Sequence, residues 1–77
     1  MAQTLEGIRL NITENEYRFL DSVFTHLRLD VKSNLDSALF DKSILFGAVH
    51  MLHLDGKITY EEEDAIMDIA RKIIENR

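Results

Sequence analysis

Residues 50–64 read HMLHLDGKITYEEED, and within this stretch one helix ends, the chain turns and another helix begins. Gly56 can adopt the positive φ that ends many helices, and Ile58 can anchor the turn in a core. Thr59 followed three residues later by Glu62 is the pattern of a capping box, in which side chain and backbone satisfy each other at a helix start. The stretch therefore predicts that a helix ends at residue 54 and that the next covers residues 59–75.

The pattern after the turn is that of an amphipathic helix. Ile66, Ile69 and Ile73 recur at three- and four-residue intervals, which places them on one face. Acidic residues lie at its start and basic residues near its end, as the helix dipole favours. The acidic residues of the first turns, which we also treat as candidates for binding a basic partner, are Glu61, Glu62, Glu63 and Asp64.

The segment before the turn is apolar on nearly every side. We expect Asp41 to cap a central helix over residues 41–54 that lacks a polar face and must be covered. Gly47 in its interior costs about 1 kcal/mol relative to alanine, which a closely crossing helix would offset. A short chain has too little material to cover this helix, so we predict a homodimer formed through it.

Further toward the amino terminus, Thr13 and Glu16 form a second capping box and predict a helix over residues 13–29. Residues 30–36 are polar and predict a chain reversal, followed by a short helical turn around residues 35–40. In residues 1–12, Ile8, Leu10 and Ile12 alternate with polar residues, the period of a strand. This arm must pack on a helix or pair with another chain, because a lone short strand is unstable.

These elements predict an all-α fold: a small three-helix domain, or four-helix if the turn at 35–40 counts, with an N-terminal extended arm. We expect it to dimerise through its apolar central helix. The chain of 77 residues is the length of one domain, residues 1–77. It contains no cysteine, which excludes disulfides and thiolate metal sites.

Composition argues against several classes of function. The net charge of −5 disfavours direct nucleic-acid binding. No long apolar run or basic leader segment points to a membrane, so we expect a cytoplasmic protein, and the size suits bacterial or phage origin. The sequence has no glycine-rich phosphate loop and no turn that positions a nucleophile, so we expect no cofactor and no enzymatic activity.

The turn also imitates a calcium site. Asp55, Gly56, Ile58 and Glu62 occupy the fifth, sixth, eighth and twelfth positions of an EF-hand loop. The first and third positions would be Met51 and His53, which cannot supply the oxygen ligands needed there. Asp55, Thr59 and Glu62 are therefore weak metal candidates, and capping explains Thr59 and Glu62 better.

Residues 44–66, ILFGAVHMLHLDGKITYEEEDAI, resemble a unit of tellurite-resistance TerB-like helical domains. The shared features are an apolar helix, an Asp-Gly turn and an acidic helix. The resemblance covers this unit only, and the chain is much shorter than such a domain.

Two histidines form a second weak metal candidate. His50 and His53 are three residues apart on one helix, and His26 can join them if the first helix packs nearby. Zinc needs a third and a fourth ligand that this spacing does not supply. The structural alternative, which we favour, is that these imidazoles hydrogen-bond free carbonyls near the helix end.

The function predicted from these features is that of a small acidic protein–protein interaction module, a homodimeric regulator or inhibitor that binds a larger protein. Its apolar anchors would be Phe19, Phe40 or Phe46, surrounded by the acidic residues. Two alternatives stay open: a divalent-metal sensor of calcium type built on the turn from Asp55 to Glu62, and a structural subunit of a helical assembly.

Overall fold

A computed structural model describes residues 2–77. Two short strands, β1 (Ala2–Leu5) and β2 (Ile8–Asn11), precede three helices, α1 (Glu14–Ser33), α2 (Leu35–Leu54) and α3 (Tyr60–Glu75). The helices hold 74% of these residues, so the expected helical class is confirmed, but the described chain also contains a β-hairpin.

The N-terminal arm is an antiparallel hairpin in which Ala2 pairs with Asn11 and Leu5 with Ile8. Its two-residue turn, Glu6 and Gly7, has φ angles of 51° and 82°, the conformation that matches the twist of hairpin strands. β1 packs on α1 and β2 on α3. The predicted strand period is thus confirmed for β2, and its partner is a strand of the same chain.

The two helix starts predicted from capping boxes are confirmed at Thr13 and Thr59. The predicted reversal over residues 30–36 occurs at Asn34, where α2 folds back on α1, but the connection is shorter than expected, because α1 continues to Ser33 and only Asn34 separates it from α2. Asn34 caps both helices: its N–H donates to the Asp30 carbonyl at 2.7 Å, and its Oδ1 accepts from the Ser37 N–H at 3.2 Å.

α2 therefore begins at Leu35 and not at residue 41, and the helical turn predicted around 35–40 is its first part. Asp41 lies inside the helix, half-buried, and does not cap it. Ala38 is fully buried in the core, and this packing stabilises the first turns of α2.

The core lies where the three helices and the hairpin meet, around Phe24 of α1. The central helix was expected to be largely buried, but only one side of α2 is. The buried residues of α2 are Ala38, Leu45, Val49 and Leu52.

None of the helices within residues 2–77 combines the length and apolar character needed to span a bilayer.

Candidate functional site

The joint between α2 and α3 fixes which side chains of α3 face α2. Gly56, with φ of 76°, ends α2: its N–H donates to the His53 carbonyl, and the Lys57 N–H donates to the Leu52 carbonyl, both at 2.9 Å. This pair of bonds satisfies carbonyls that a helix end leaves free. Ile58 is 4% exposed and anchors the turn, as expected.

The first turn of α3 is held by its capping box. The Thr59 N–H donates to Glu62 Oε1 at 2.8 Å, and the Glu62 N–H donates to Thr59 Oγ1 at 3.1 Å. Lys57 in the joint also donates to Glu16 at 2.5 Å, which lowers the pKa of that carboxyl and ties the joint to the first capping box. The register of α3 against α2 is therefore fixed from its first residues.

That register places Glu63 against α2, where it contacts two histidines. Nδ1 of His50 lies 3.0 Å from Oε2 of Glu63, and Nδ1 of His53 lies 2.7 Å from Oε1. Each carboxylate oxygen thus faces one imidazole. Glu63 is only 5% exposed, and it is the only buried residue with a charged side chain within residues 2–77. We refer to His50, His53 and Glu63 as the His–Glu cluster.

Two aromatic side chains flank the His–Glu cluster. The Phe46 ring stacks on His50 with centroids 5.3 Å apart and planes 12° apart. Tyr60 lies on the other side, 6.1 Å from the His53 ring. Each imidazole thus contacts one carboxylate oxygen of Glu63 and one aromatic ring.

A groove of about 540 Å³ runs beside this cluster between α2 and α3. We call it the α2–α3 groove. Glu63 belongs both to the groove and to the cluster, while Lys42 and Asp64 contribute opposite charges to the lining. Its apolar lining comes from Leu39 and Phe46 of α2 and from Tyr60 and Met67 of α3.

The side of α2 away from the core carries a separate apolar stripe, formed by Phe40, Ile44, Met51 and Leu54 around Gly47. We call these five residues the α2 seam. Their spacing of four, three, four and three residues is a heptad spacing, which keeps them on one side of the helix. All five are exposed. Apart from its own helix and chain neighbours, no atom of residues 2–77 lies within 4 Å of where a Gly47 Cβ would stand.

The three phenylalanines predicted as anchors lie on three different surfaces. Phe40 is 66% exposed on the α2 seam, and Phe46 is half-exposed in the α2–α3 groove. Phe19, also half-exposed, lines a smaller groove of about 300 Å³ between α1 and α2, with Ala48 and Leu52 on its other side.

The predicted acidic surface is divided by the fold. Glu61 and Asp64 are exposed, Glu62 is half-buried in the capping box, and Glu63 is buried in the His–Glu cluster. Glu63 therefore does not share a surface with the other three candidates. A run of four acidic residues does not by itself show which one points inward. The three-residue spacing between Glu63 and Ile66, however, places Glu63 on the buried face of α3.

The candidate calcium ligands of the turn are not grouped together. Thr59 and Glu62 bond each other through the capping box, and Asp55 is exposed at the end of α2. The group of potential metal ligands found within residues 2–77 is the His–Glu cluster, which contains none of these three.

The expected contact of His50 and His53 with free helix-end carbonyls is wrong, because both rings face Glu63. The third potential ligand, which the sequence spacing could not supply, is Glu63 of α3. His26 stays apart from this group and contacts the Ser22 carbonyl of its own helix at 2.9 Å. The signal for this contact in the sequence is the position of the acidic run directly after a tight turn. Such a turn brings the end of α2, with its histidines, close to the start of α3.

Comparison with known proteins finds no protein family whose pattern matches this chain, no curated protein similar in sequence and no solved structure similar in fold. The resemblance of residues 44–66 to TerB-like domains thus assigns no family. Any function has to be argued from the surfaces themselves.

Proposed function

We propose that this protein is a protein–protein interaction module that forms a homodimer through the α2 seam and regulates a larger protein held in its α2–α3 groove. The observation that carries this proposal is the exposed heptad spacing of the seam. A helix with an apolar stripe of period 3.5 facing outward is suited to pair with a second helix.

The seam is also suited to pair with a copy of itself. Gly47 lies at its midpoint, with Phe40 and Ile44 on one side and Met51 and Leu54 on the other. In an antiparallel pair related by a twofold axis, the aromatic half of one seam covers the aliphatic half of the other, and the two glycines meet. Such a crossing brings the helix backbones close and gives Gly47 a role that it lacks within one chain.

Charge does not oppose this pairing. The seam contains no ionisable residue, so the net charge of −5 is carried by other parts of the surface. Screening at physiological salt confines the repulsion between exposed charges to about 8 Å. The apolar contact can therefore decide the association.

Sedimentation equilibrium of Met51→Lys tests the dimer. We expect the unsubstituted protein to have twice the chain mass and Met51→Lys to shift toward the monomer, because a buried unpaired ammonium is costly in an interface. Leu29→Lys is the matched control, since Leu29 is similarly exposed near the end of α1 and lies outside the seam. A monomeric unsubstituted protein would contradict the proposal, and a larger defined oligomer would favour a structural subunit.

The α2–α3 groove has the size and lining of a binding site for one side chain or short segment of a partner. Its volume lies within the range of about 300–1,000 Å³ that is usual for ligand sites. Phe46 and Tyr60 supply the aromatic contacts that dominate interface energies, and Lys42 and Asp64 supply charges of both signs for orientation.

Affinity capture from the host, with unsubstituted protein, Phe46→Lys and Leu29→Lys compared as baits, tests the regulatory role. We expect mass spectrometry to find a larger protein that is retained by Leu29→Lys and lost with Phe46→Lys, and to recover the same pair from purified components. Baits that cannot be distinguished would count against the groove as the binding site.

A further inference from the structure

We propose that the His–Glu cluster is a binding site for a divalent transition metal, Zn²⁺ in particular, with three ligands from the protein and one position open to solvent. The ligands are one imidazole nitrogen each from His50 and His53 and a carboxylate oxygen of Glu63. This site is distinct from the calcium-type turn, and it goes beyond the interaction surfaces proposed above.

The types of donor select the metal. Two imidazoles and one carboxylate are a common donor set for Zn²⁺, and three protein ligands leave the fourth tetrahedral position for water. Ca²⁺ requires six to eight oxygen ligands and Mg²⁺ prefers oxygen in octahedral geometry, so neither is served by this set.

The distances are close to those of a tetrahedral site. One ligand atom from each of the three residues can be chosen so that all lie within 4.8 Å of one another. Bonds of about 2.0–2.1 Å to a tetrahedral ion separate its ligand atoms by about 3.3 Å. The two nitrogen–oxygen distances of 3.0 and 2.7 Å involve different oxygens of Glu63, so either oxygen is already close to one imidazole and has to approach the other. The remaining separations, which lie within 4.8 Å, need to close by at most about 1.5 Å, which small rotations of the carboxylate and the half-exposed imidazoles can provide.

Binding requires no net proton release from neutral imidazoles. With Glu63 as a carboxylate and both rings in the Nδ1–H tautomer, each ring donates one hydrogen bond to Glu63, and the ion replaces these two protons between the rings and the carboxylate. Each imidazole then carries its proton on Nε2 and coordinates through Nδ1. The protons move within each ring by exchange with solvent, and the charge of the ion compensates the buried carboxylate.

The surroundings favour a built site over an accidental contact. Glu63 is 5% exposed and is fixed by the capped first turn of α3, so its carboxylate is in place before an ion arrives. Phe46 stacks on His50 and Tyr60 lies beside His53, so both imidazoles have apolar neighbours as well as the carboxylate. The His side chains are 43% and 34% exposed, which leaves an entry path for the ion.

Titration calorimetry with ZnCl₂, and visible absorption with CoCl₂, test the proposal on the full chain. We expect one ion per chain with a dissociation constant below about 10 µM. The Co²⁺ complex should show the intense visible bands of tetrahedral coordination. A Zn²⁺ excess of 100-fold over the dissociation constant should raise the melting temperature by about 15 °C, whereas Ca²⁺ should have no effect.

Three variants locate the ion. His50→Ala and His53→Ala should each weaken Zn²⁺ binding at least about 10-fold, as should Glu63→Gln, while His26→Ala retains it. Circular dichroism confirms that each variant is folded, and the two alanine variants remain informative if Glu63→Gln unfolds. Because all three ligands belong to one chain, the result does not depend on dimerisation. A dissociation constant for Zn²⁺ above about 10 µM, or one unchanged in both alanine variants, would overturn the proposal.

Discussion

Glu63 carries a buried carboxylate, which is costly in a domain of this size unless partners replace its lost hydration. The two imidazoles supply those partners, one for each oxygen. The cluster is held in register by the residues just before it, because Thr59 and Glu62 define where α3 begins. A cap at this position therefore affects both the stability of the helix and the geometry of the cluster.

We predict that Thr59→Ala lowers the free energy of unfolding by about 1 kcal/mol, since it removes the oxygen that accepts from the Glu62 N–H. Thr25→Ala is the matched control. Thr25 lies exposed within α1 and bonds the Asp21 carbonyl of the same helix, so its loss should be neutral or slightly stabilising. Urea unfolding of both variants checks the difference, and equal stabilities would show that the capping box is unimportant.

At the scale of secondary-structure elements, the turn over residues 55–59 could be interpreted correctly from sequence, because the residues that form it act locally. Gly56, Ile58 and Thr59 act through their own backbone conformation, burial or cap, and none requires knowledge of a distant partner. Both capping boxes were identified for the same reason.

The α1–α2 boundary could not be predicted in the same way, because tertiary packing decides it. Asp30, Asn34 and Asp41 are all residues that cap or end helices when considered locally. The packing of Ala38 in the core stabilises the first turns of α2, and only Asn34 is left to make the break. A local pattern cannot show which of several suitable caps is used.

Only the second strand of the hairpin could be predicted from the sequence. β2 has alternating apolar residues, whereas β1 reads AQTL and has only Leu5 as a buried residue. Its turn is Glu6–Gly7 and not the Asn-Gly pair that most often marks such turns, and Glu6 is further held by an ion pair with Arg28. That long-range contact has no signature in the local sequence.

Asp41 gives the junction of α1 and α2 a pH dependence. Burial, followed by the neighbouring Asp30 carboxyl, raises the pKa of Asp41 to about 6, and the nearby His26 acts in the opposite direction. Its Oδ2 is buried without a hydrogen-bond partner within residues 2–77. The folded state thus holds a proton between about pH 4 and 6 that the unfolded state releases, so Asp41 lowers stability as the pH rises through this window.

We predict that Asp41→Asn is more stable than the unsubstituted protein at pH 7, by about 1–3 kcal/mol, and nearly equal to it at pH 4. The amide keeps the shape of the protonated acid and removes the cost of ionising it. Urea unfolding at both pH values measures the difference, with Asp36→Asn as an exposed control that changes stability by a few tenths of a kcal/mol. A gain that is the same at both pH values would contradict this account.

At the scale of the whole molecule, the distribution of apolar surface is the feature that needs an explanation. A chain this short buries only about 60% of its unfolded surface, and α2 is apolar on both sides. Its inner side completes the core of one chain, while its seam is left exposed. Pairing of two seams would bury that surface without adding any residue to the chain.

The most direct measurement of the central claim is disulfide cross-linking of Gly47→Cys. The chain has no natural cysteine, and a twofold axis through the seam would bring the two Cα atoms within the roughly 4.4–6.8 Å that a disulfide spans. Under mild oxidation, we predict that Gly47→Cys is converted to a covalent dimer on a non-reducing gel, while Leu29→Cys at the same concentration is not. Equal cross-linking of the two variants, or a Gly47→Cys chain that stays monomeric, would contradict the claim that α2 is the dimer interface.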